Sequence, residues 1–185
     1  MGTTTQRDVV ALIRAAPALL GRTKLVTVDG PAGAGKSSFA AALASELPDS
    51  EVIHMDDLYE GWEGLDDRLS ERVDAWILTP LRSGLPAQHL VYDWARGVFG
   101  SWRVTTPPGV LILEGVGSLQ AHTSPVAALR IWLEAPRETL NNRLTSRDGA
   151  ISGHLTRWKI REAEFFERLG SRGLADLVLD TSASS

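Results

Sequence analysis

Short apolar runs alternate with segments of helical character along most of this chain. The runs lie at residues 24–29, 51–55, 110–113, 129–133 and 177–179. Strands that are apolar at nearly every position are buried on both faces, as in a parallel sheet covered by helices. The pattern therefore predicts a three-layer α/β fold, and we expect residues 1–185 to form a single domain.

The segments between these runs predict helices and loops. Helices are predicted over residues 7–20, 36–47, 69–81, 137–147 and 154–170. Gly21 is expected to end the first helix. Thr79-Pro80 is expected to kink or end the third, because the residue before a proline disfavours the helical conformation. Residues 84–108 are rich in glycine and proline and are predicted to be irregular.

The last predicted helix carries charges of both signs, among them Arg161, Glu162 and Arg168. Mixed charges at helical spacing are typical of an exposed, salt-bridged surface, and we interpret this helix in that way. A role in a lid or in phosphate binding is the alternative, with Arg157 as its best candidate.

Composition narrows the classes of protein to be considered. Lys and Arg number 19 and Asp and Glu number 23, for a formal net charge of −4, which argues against a surface that binds nucleic acid throughout. The absence of cysteine excludes disulfides, thiolate catalysis and zinc–thiolate sites. No stretch approaches the roughly 18 apolar residues of a membrane span. Residues 1–6 lack the basic-then-apolar order of a signal peptide. We expect a cytoplasmic protein without a membrane partner, and a homo-oligomer is left open.

Residues 30–37, called the P-loop below, read GPAGAGKS and match G-x-x-x-x-G-K-[ST] at every fixed position. The motif follows a predicted strand and precedes a predicted helix, which favours a nucleotide site over a simple glycine-rich turn. Lys36 is predicted to neutralise the β- and γ-phosphates, and the Ser37 hydroxyl to bind Mg²⁺. Backbone N–H groups bind phosphates in such loops, and the predicted nucleotide-binding residues are Ala32, Gly33, Ala34, Gly35, Lys36, Ser37 and Ser38.

Carboxylates follow two of the predicted strands. Asp56-Asp57 comes after residues 51–55, and Glu114 comes after residues 110–113. Parallel sheets bind ligands at the carboxyl ends of their strands, where such groups can hold a metal or accept a proton from a hydroxyl. A solvated turn or a helix cap is the alternative for the aspartates, and a cap on backbone N–H groups is the alternative for Glu114. His54 is expected to be packed and hydrogen-bonded.

In their order along the chain, these motifs resemble the uridine kinase, phosphoribulokinase and pantothenate kinase family of P-loop kinases. The matching pieces are VDGPAGAGKSS at 28–38, MDDLY at 55–59, LRSG followed by VYD at 81–93, LILEG at 111–115 and RLTSRD at 143–148. The resemblance implies a P-loop NTPase fold with a five-stranded parallel sheet of order 2-3-1-4-5. It also implies ATP and Mg²⁺ as cofactors and transfer of the γ-phosphate to a hydroxyl group of a small molecule.

The resemblance implies roles for single residues on the phosphate side. Ser37, Asp56 and Glu114 would lie near Mg²⁺. Arg143 and Arg147 would clamp the transferring phosphoryl group from a lid at about residues 143–157. Being four apart, the two arginines share a helix face, and a solvated helix face is the alternative interpretation.

On the acceptor side, the resemblance makes Asp56 the general base that takes the proton of the acceptor hydroxyl. Further residues would bind the acceptor, namely Tyr59, Tyr92, Asp93 and Trp94. Trp62, Trp94 and Trp102 either stack on a planar acceptor or pack under a long loop.

The acceptor itself is left open. A nucleoside such as uridine or cytidine is the favoured acceptor. Two features depart from the family: Trp94-Ala95-Arg96 stands where the family has a histidine, and no aspartate aligns clearly with the family's ribose-binding residue. A sugar, a pantothenate-like alcohol, an antibiotic or a nucleoside monophosphate are alternative acceptors. A nucleotide-dependent switch or binding protein with little turnover is an alternative of another class.

Overall fold

Five parallel strands form the central sheet of the computed structural model, which describes residues 4–148 and 153–182 except for the side chains of residues 147 and 148. The strands are β1 (Lys24–Asp29), β2 (Ser50–His54), β5 (Val110–Glu114), β6 (Ala127–Glu134) and β7 (Leu177–Asp180). Their spatial order is β2-β5-β1-β6-β7. Counted among the central strands alone this is 2-3-1-4-5, so the predicted fold class and sheet order are confirmed.

Two apolar layers cover the sheet because successive side chains of each strand point to opposite faces. Val26 and Ile112 pack in one layer, with the helices α1 (Gln6–Ala15) and α2 (Lys36–Glu46). Leu25 and Leu111 pack in the other layer. That second layer includes the helices α3 (Asp67–Val73), α4 (Thr79–Arg82) and α6 (Gly153–Leu169), and α5 (Arg137–Asp148) follows β6.

The first helix is shorter than predicted. It begins after Thr5, whose side chain forms a reciprocal cap with Asp8, and it ends at Ala15 instead of near Gly21. Ala16 is already extended, with ψ of 150°, because it precedes Pro17.

Pro80 does not end the helical segment that contains it, although an end there was one of the two predicted outcomes. The wider π-helical turn Asp74–Leu78 joins α3 to α4, and Pro80 lies in the first turn of α4. Proline is tolerated there because its missing N–H would have no helical partner at that position.

The prediction of irregular structure for residues 84–108 was wrong. Strands β3 (Ala87–Asp93) and β4 (Val98–Thr105) pair as a separate antiparallel hairpin. Most side chains of β4 are exposed on both faces, and Gly100 within the strand has no side chain to contribute to a pattern. The buried–exposed alternation that usually marks a strand is therefore missing from the sequence.

None of the helices within residues 4–148 and 153–182 is long and apolar enough to span a membrane.

Candidate active site

The P-loop connects β1 to α2 at the carboxyl end of the sheet. Gly30 has φ of 140°, and a Cβ atom there would lie 2.1 Å from the carbonyl oxygen of Leu133. Only glycine allows this close approach of two backbones. Gly35 is the N-cap of α2 and offers no side-chain cap, so the first N–H groups of the helix point to the loop as donors for an anion.

The functional side chains of the P-loop have defined partners. Lys36 Nζ donates to the carbonyl oxygens of Gly30 and Pro31, over 2.7 and 3.0 Å. Ser37 Oγ donates to Glu114 Oε1 over 3.0 Å. The end of β5 therefore lies against the start of α2, and the structure brings together the predicted metal-binding residues Ser37 and Glu114.

His54 is hydrogen-bonded, as predicted, and its partner is Glu114. The two residues are aligned on neighbouring strands, with His54 Nδ1 2.5 Å from Glu114 Oε1. This hydrogen bond is the main cause that raises the pKa of His54, and burial opposes it. The buried carboxylate of Glu114 therefore has two partners, the imidazole of His54 on β2 and the hydroxyl of Ser37 on α2.

A cavity of about 720 Å³ opens over the P-loop. Asp56, in the short 3₁₀ turn Met55–Asp57, and Glu114 line it. The predicted nucleotide-binding residues in its lining are Ala32, Gly33, Gly35, Lys36, Ser37 and Ser38. Ala34 lies outside the lining, and its N–H is bonded to the carbonyl of Pro31.

Aromatic rings form another part of the cavity wall, and we call Tyr59, Trp62, Trp94 and Trp158 the aromatic wall. The rings contact one another, with Tyr59 4.9 Å from Trp158 and Trp62 5.2 Å from Trp94 between centroids. The Tyr59 hydroxyl donates to the carbonyl of Val116 over 2.6 Å, so its polar atom is used internally. Tyr59, Trp62 and Trp94, which the sequence singled out, thus meet Trp158, which it did not.

Three other candidates for the acceptor site, one of them with packing as its equal alternative, lie elsewhere. Tyr92 packs edge-to-face behind Trp94, 5.3 Å between centroids, and is not part of the described cavity lining. Asp93 Oδ1 accepts the N–H groups of Ala95 and Arg96 and so closes the hairpin turn. Trp102 is 59% exposed and packs against Trp76.

Of the two predicted lid arginines, one has its side chain among the described residues. Arg143 lines the cavity, and its guanidinium donates to the carbonyl of Thr181 over 2.7 Å and to its hydroxyl over 3.1 Å. These bonds attach α5 to the segment that follows β7. The side chain of Arg147 and residues 149–152 of the predicted lid lie outside the described residues.

Sequence reasoning missed Asp29, the last residue of β1. Asp29 is fully buried and accepts the N–H groups of Gly30, Gly117 and Leu119. Burial raises the pKa of Asp29 to about 7, although these N–H groups and Lys36 oppose the shift. The signal was available, because an acidic residue at the end of an apolar strand is the pattern that identified Glu114.

The prediction of an exposed helix was wrong for Glu162. Its neighbours Arg161 and Arg168 form exposed ion pairs with Glu63 and Asp67, as predicted. Glu162 is buried, and its Oε1 accepts the N–H of Ala32 over 2.8 Å. The reason is helical geometry, since Glu162 shares the inward face of α6 with the buried residues four before and three after it.

The donors near the P-loop suit a hard cation. Ser37 and Glu114 offer oxygen atoms, and Asp56 lines the same cavity. Among the described residues, no group of three or more acidic or histidine side chains is arranged to hold a metal ion. Magnesium usually takes one or two protein carboxylates and completes its shell with water and phosphate oxygens, so the residues present fit that ion.

No family model matches the chain. Among curated proteins, the inorganic pyrophosphatase TTM1 of Arabidopsis thaliana is 28% identical over 137 residues, which is 68% of this chain and 21% of that protein. Uridine-cytidine kinase C of Dictyostelium discoideum is 31% identical over 123 residues, which is 60% of this chain and 27% of that protein. The chain thus spans between a fifth and about a quarter of the length of these relatives.

Solved structures resemble the fold over nearly its whole length. A protein of Bacillus stearothermophilus assigned as a possible uridine kinase superposes with a TM-score of 0.71 at 19% identity, covering 95% of this chain and 97% of that one. A Silicibacter sp. TM1040 protein, provisionally assigned as a fructose transport system kinase, superposes with a TM-score of 0.64 at 24% identity, covering 94% and 98%. The resemblance to uridine kinase-like P-loop kinases is therefore confirmed for the fold.

Proposed function

We propose that this protein is an ATP-dependent kinase that transfers the γ-phosphate of ATP to a hydroxyl group of a nucleoside or a similar small metabolite. The observation that carries the proposal is one cavity in which the P-loop, the Ser37–Glu114 pair and Asp56 face an aromatic wall. Similarity in fold and sequence to uridine kinase-like proteins supports the same class of reaction.

On the phosphate side, the P-loop N–H groups would bind the nucleotide phosphates. Lys36 would exchange its two carbonyl partners for phosphate oxygens, to which a cation binds more strongly. Ser37 and Glu114, with Asp56 nearby, would hold Mg²⁺, which when bound neutralises part of the phosphate charge. Arg143, already in the cavity lining, would add positive charge beside the transferring group.

Transfer would form a bond between the acceptor oxygen and the γ-phosphorus and break the bond between that phosphorus and the bridging oxygen of ADP. The proton of the acceptor hydroxyl would pass to the Asp56 carboxylate. Asp56 is exposed and lines the cavity, which places its carboxylate on the side from which a bound hydroxyl would approach. Positioning of the acceptor and electrostatic stabilisation would supply most of the rate gain.

The aromatic wall favours an acceptor with a planar ring. Trp62 and Trp94 line the cavity and are 37% and 40% exposed, so part of each indole is accessible there. Large indole faces next to a polar site stack well on a heteroaromatic ring. We therefore favour a nucleoside as the acceptor. Sugars, pantothenate-like alcohols, antibiotics and nucleoside monophosphates are the acceptors to compare with it.

The test measures ADP release from Mg²⁺–ATP across a panel of these acceptors. We expect one class to stimulate release strongly and Asp56→Asn to lower kcat by orders of magnitude at nearly unchanged ATP affinity. Lys36→Ala, which lacks the phosphate-binding cation, should be inactive with any acceptor. Stimulation by no acceptor at all, with ATP still bound, would favour the nucleotide-dependent switch.

The neighbouring residue provides a matched control for Asp56. Asp57 carries the same group on the same turn but faces the hairpin, with Oδ2 3.8 Å from His89 Nε2 and 3.9 Å from an Arg103 nitrogen. Asp57→Asn should keep most of the turnover. Equal losses in the two variants would contradict the assignment of Asp56 as the base.

The similarity to plant inorganic pyrophosphatases supplies a second candidate, hydrolysis of pyrophosphate at the same P-loop. Phosphate release from Mg²⁺–pyrophosphate is therefore measured in parallel. Release from pyrophosphate that exceeds any acceptor-dependent ADP release would replace the kinase proposal by the hydrolase. The aromatic wall argues against that result, because pyrophosphate has no ring to occupy it.

A further inference from the structure

A carboxylate from α6 already occupies one donor of the phosphate-binding loop. Glu162 is 5% exposed, and its Oε1 accepts the N–H of Ala32 over 2.8 Å. Ala32 lies in the P-loop and lines the cavity. An anionic side chain and a nucleotide phosphate would therefore lie side by side at the same group of N–H donors.

The helix that carries Glu162 also lines the acceptor side of the cavity. Trp158, one turn earlier on the same inward face of α6, belongs to the aromatic wall. Leu155, another turn earlier, lines the same cavity. The Glu162 carboxylate thus contacts the loop proposed to bind phosphate, and the helix that carries it provides part of the wall proposed to bind the acceptor.

The ionisable groups that face Glu162 come from three elements. Lys36 of the P-loop and Lys159 of α6 favour its anionic form, and Tyr59 contributes a neutral phenol. Burial outweighs the two lysines and raises the pKa of Glu162 above its ordinary value. This carboxyl is therefore closer to protonation than an exposed one.

We propose that Glu162 is a positioning residue that joins the phosphate-binding loop to the aromatic wall, and that binding of nucleotide phosphates is coupled to uptake of a proton by its carboxyl group. The inference rests on the proposed binding of nucleotide at the P-loop. Two like charges in a poorly solvated site repel strongly, and protonation removes one of them. The carbonyl oxygen of the neutral acid still accepts the Ala32 N–H, so the contact with the loop is kept.

Glu162→Gln separates the charge of this residue from its shape. Glutamine keeps an acceptor oxygen for Ala32 and almost the same volume, and it cannot take up a proton. At pH 8.5 we expect the variant to bind Mg²⁺–ADP more tightly than the parent, because the parent must first bind a proton and its affinity should fall by up to about ten-fold per pH unit once its carboxyl is ionised. Glu164→Gln is the matched control, because Glu164 is exposed on the same helix.

The experiment titrates each protein with Mg²⁺–ADP by calorimetry in two buffers of different ionisation enthalpy. The number of protons taken up on binding should be larger for the parent and for Glu164→Gln than for Glu162→Gln. Proton release or uptake by ADP itself is common to all three proteins and cancels in the comparison. Equal proton uptake in the parent and in Glu162→Gln would overturn the proposal.

A measurement on the parent protein covers the case in which Glu162→Gln does not fold. Infrared difference spectra on ADP binding should show a new carboxylic acid C=O band that shifts on ¹³C labelling of glutamate carboxyls, which distinguishes a glutamate from Asp29. Absence of such a band overturns the proposal. ADP that fails to bind the parent refutes the nucleotide site itself, whereas binding without a glutamate proton refutes only the role of Glu162.

Discussion

The indole N–H of Trp94 donates to the backbone carbonyl of Asp56 over 3.2 Å. Trp94 directly follows β3, and Asp56 lies 38 positions earlier in the turn after β2. The hydrogen bond therefore ties the β3–β4 hairpin to the residue proposed as general base. Trp94 thus has two uses, as a ring in the aromatic wall and as a donor that positions the turn.

Trp94→Phe tests this coupling, since phenylalanine keeps a ring and loses the N–H donor. We expect kcat to fall about five-fold, equivalent to about 1 kcal/mol for one hydrogen bond, with the affinity for ADP unchanged. Steady-state kinetics and nucleotide titration would measure the two effects. Trp102→Phe, on the exposed side of the hairpin, is the control, and an equal loss of kcat there would refute a specific role for Trp94.

Gly30 and Gly35 should respond differently to alanine although both have positive φ, 140° and 86°. A Cβ at Gly30 would collide with the carbonyl of Leu133, whereas a Cβ at Gly35 meets nothing within 4 Å. Gly35→Ala should lower the free energy of unfolding by about 1 to 2 kcal/mol through backbone strain. Gly30→Ala should lower it by several kcal/mol more or prevent folding. Urea denaturation provides the comparison, and similar losses would contradict the close approach to Leu133.

Asp29 should make the free energy of unfolding depend on pH in the direction opposite to that expected for an ordinary paired carboxylate. Its folded-state pKa of about 7 lies above the value of 3.8 for a free aspartate. The folded state therefore holds a proton that the unfolded state has lost between those values, and the free energy of unfolding falls as pH rises from about 4 to 7. The slope approaches about 1.4 kcal/mol per pH unit.

Asp29→Asn isolates that contribution. The variant should be less stable at pH 5, because an amide nitrogen cannot accept every N–H that the carboxyl group accepts. Its deficit relative to the parent should shrink towards pH 7 as the parent loses the stabilisation of the protonated acid. Urea denaturation at both pH values measures this, and a constant deficit would show that Asp29 does not titrate in the folded protein over that range.

The amino-acid sequence by itself determined the central sheet and the P-loop. The buried runs at 24–29 and 110–113 became β1 and β5 within one residue, because strands covered on both faces leave an unambiguous apolar pattern. The spacing of Gly30, Lys36 and Ser37 similarly follows from local backbone requirements. Asp56 and Glu114 were predicted to lie close together because the carboxyl ends of parallel strands lie at one edge of a sheet, and both line the cavity.

Only the tertiary structure decided which polar residues face the cavity and which are used for folding. Asp93 closes a hairpin turn, and the guanidinium of Arg143, which lines the cavity, is bonded to Thr181. Glu162 is buried and accepts an N–H of the P-loop, although its charged neighbours on α6 lie at the surface. Each of these outcomes depends on a partner distant in the sequence or on the packing of a whole helix. Local composition cannot specify such contacts, because a polar residue of the same type can equally well be solvated. Only folding of the whole chain brings its partner next to it.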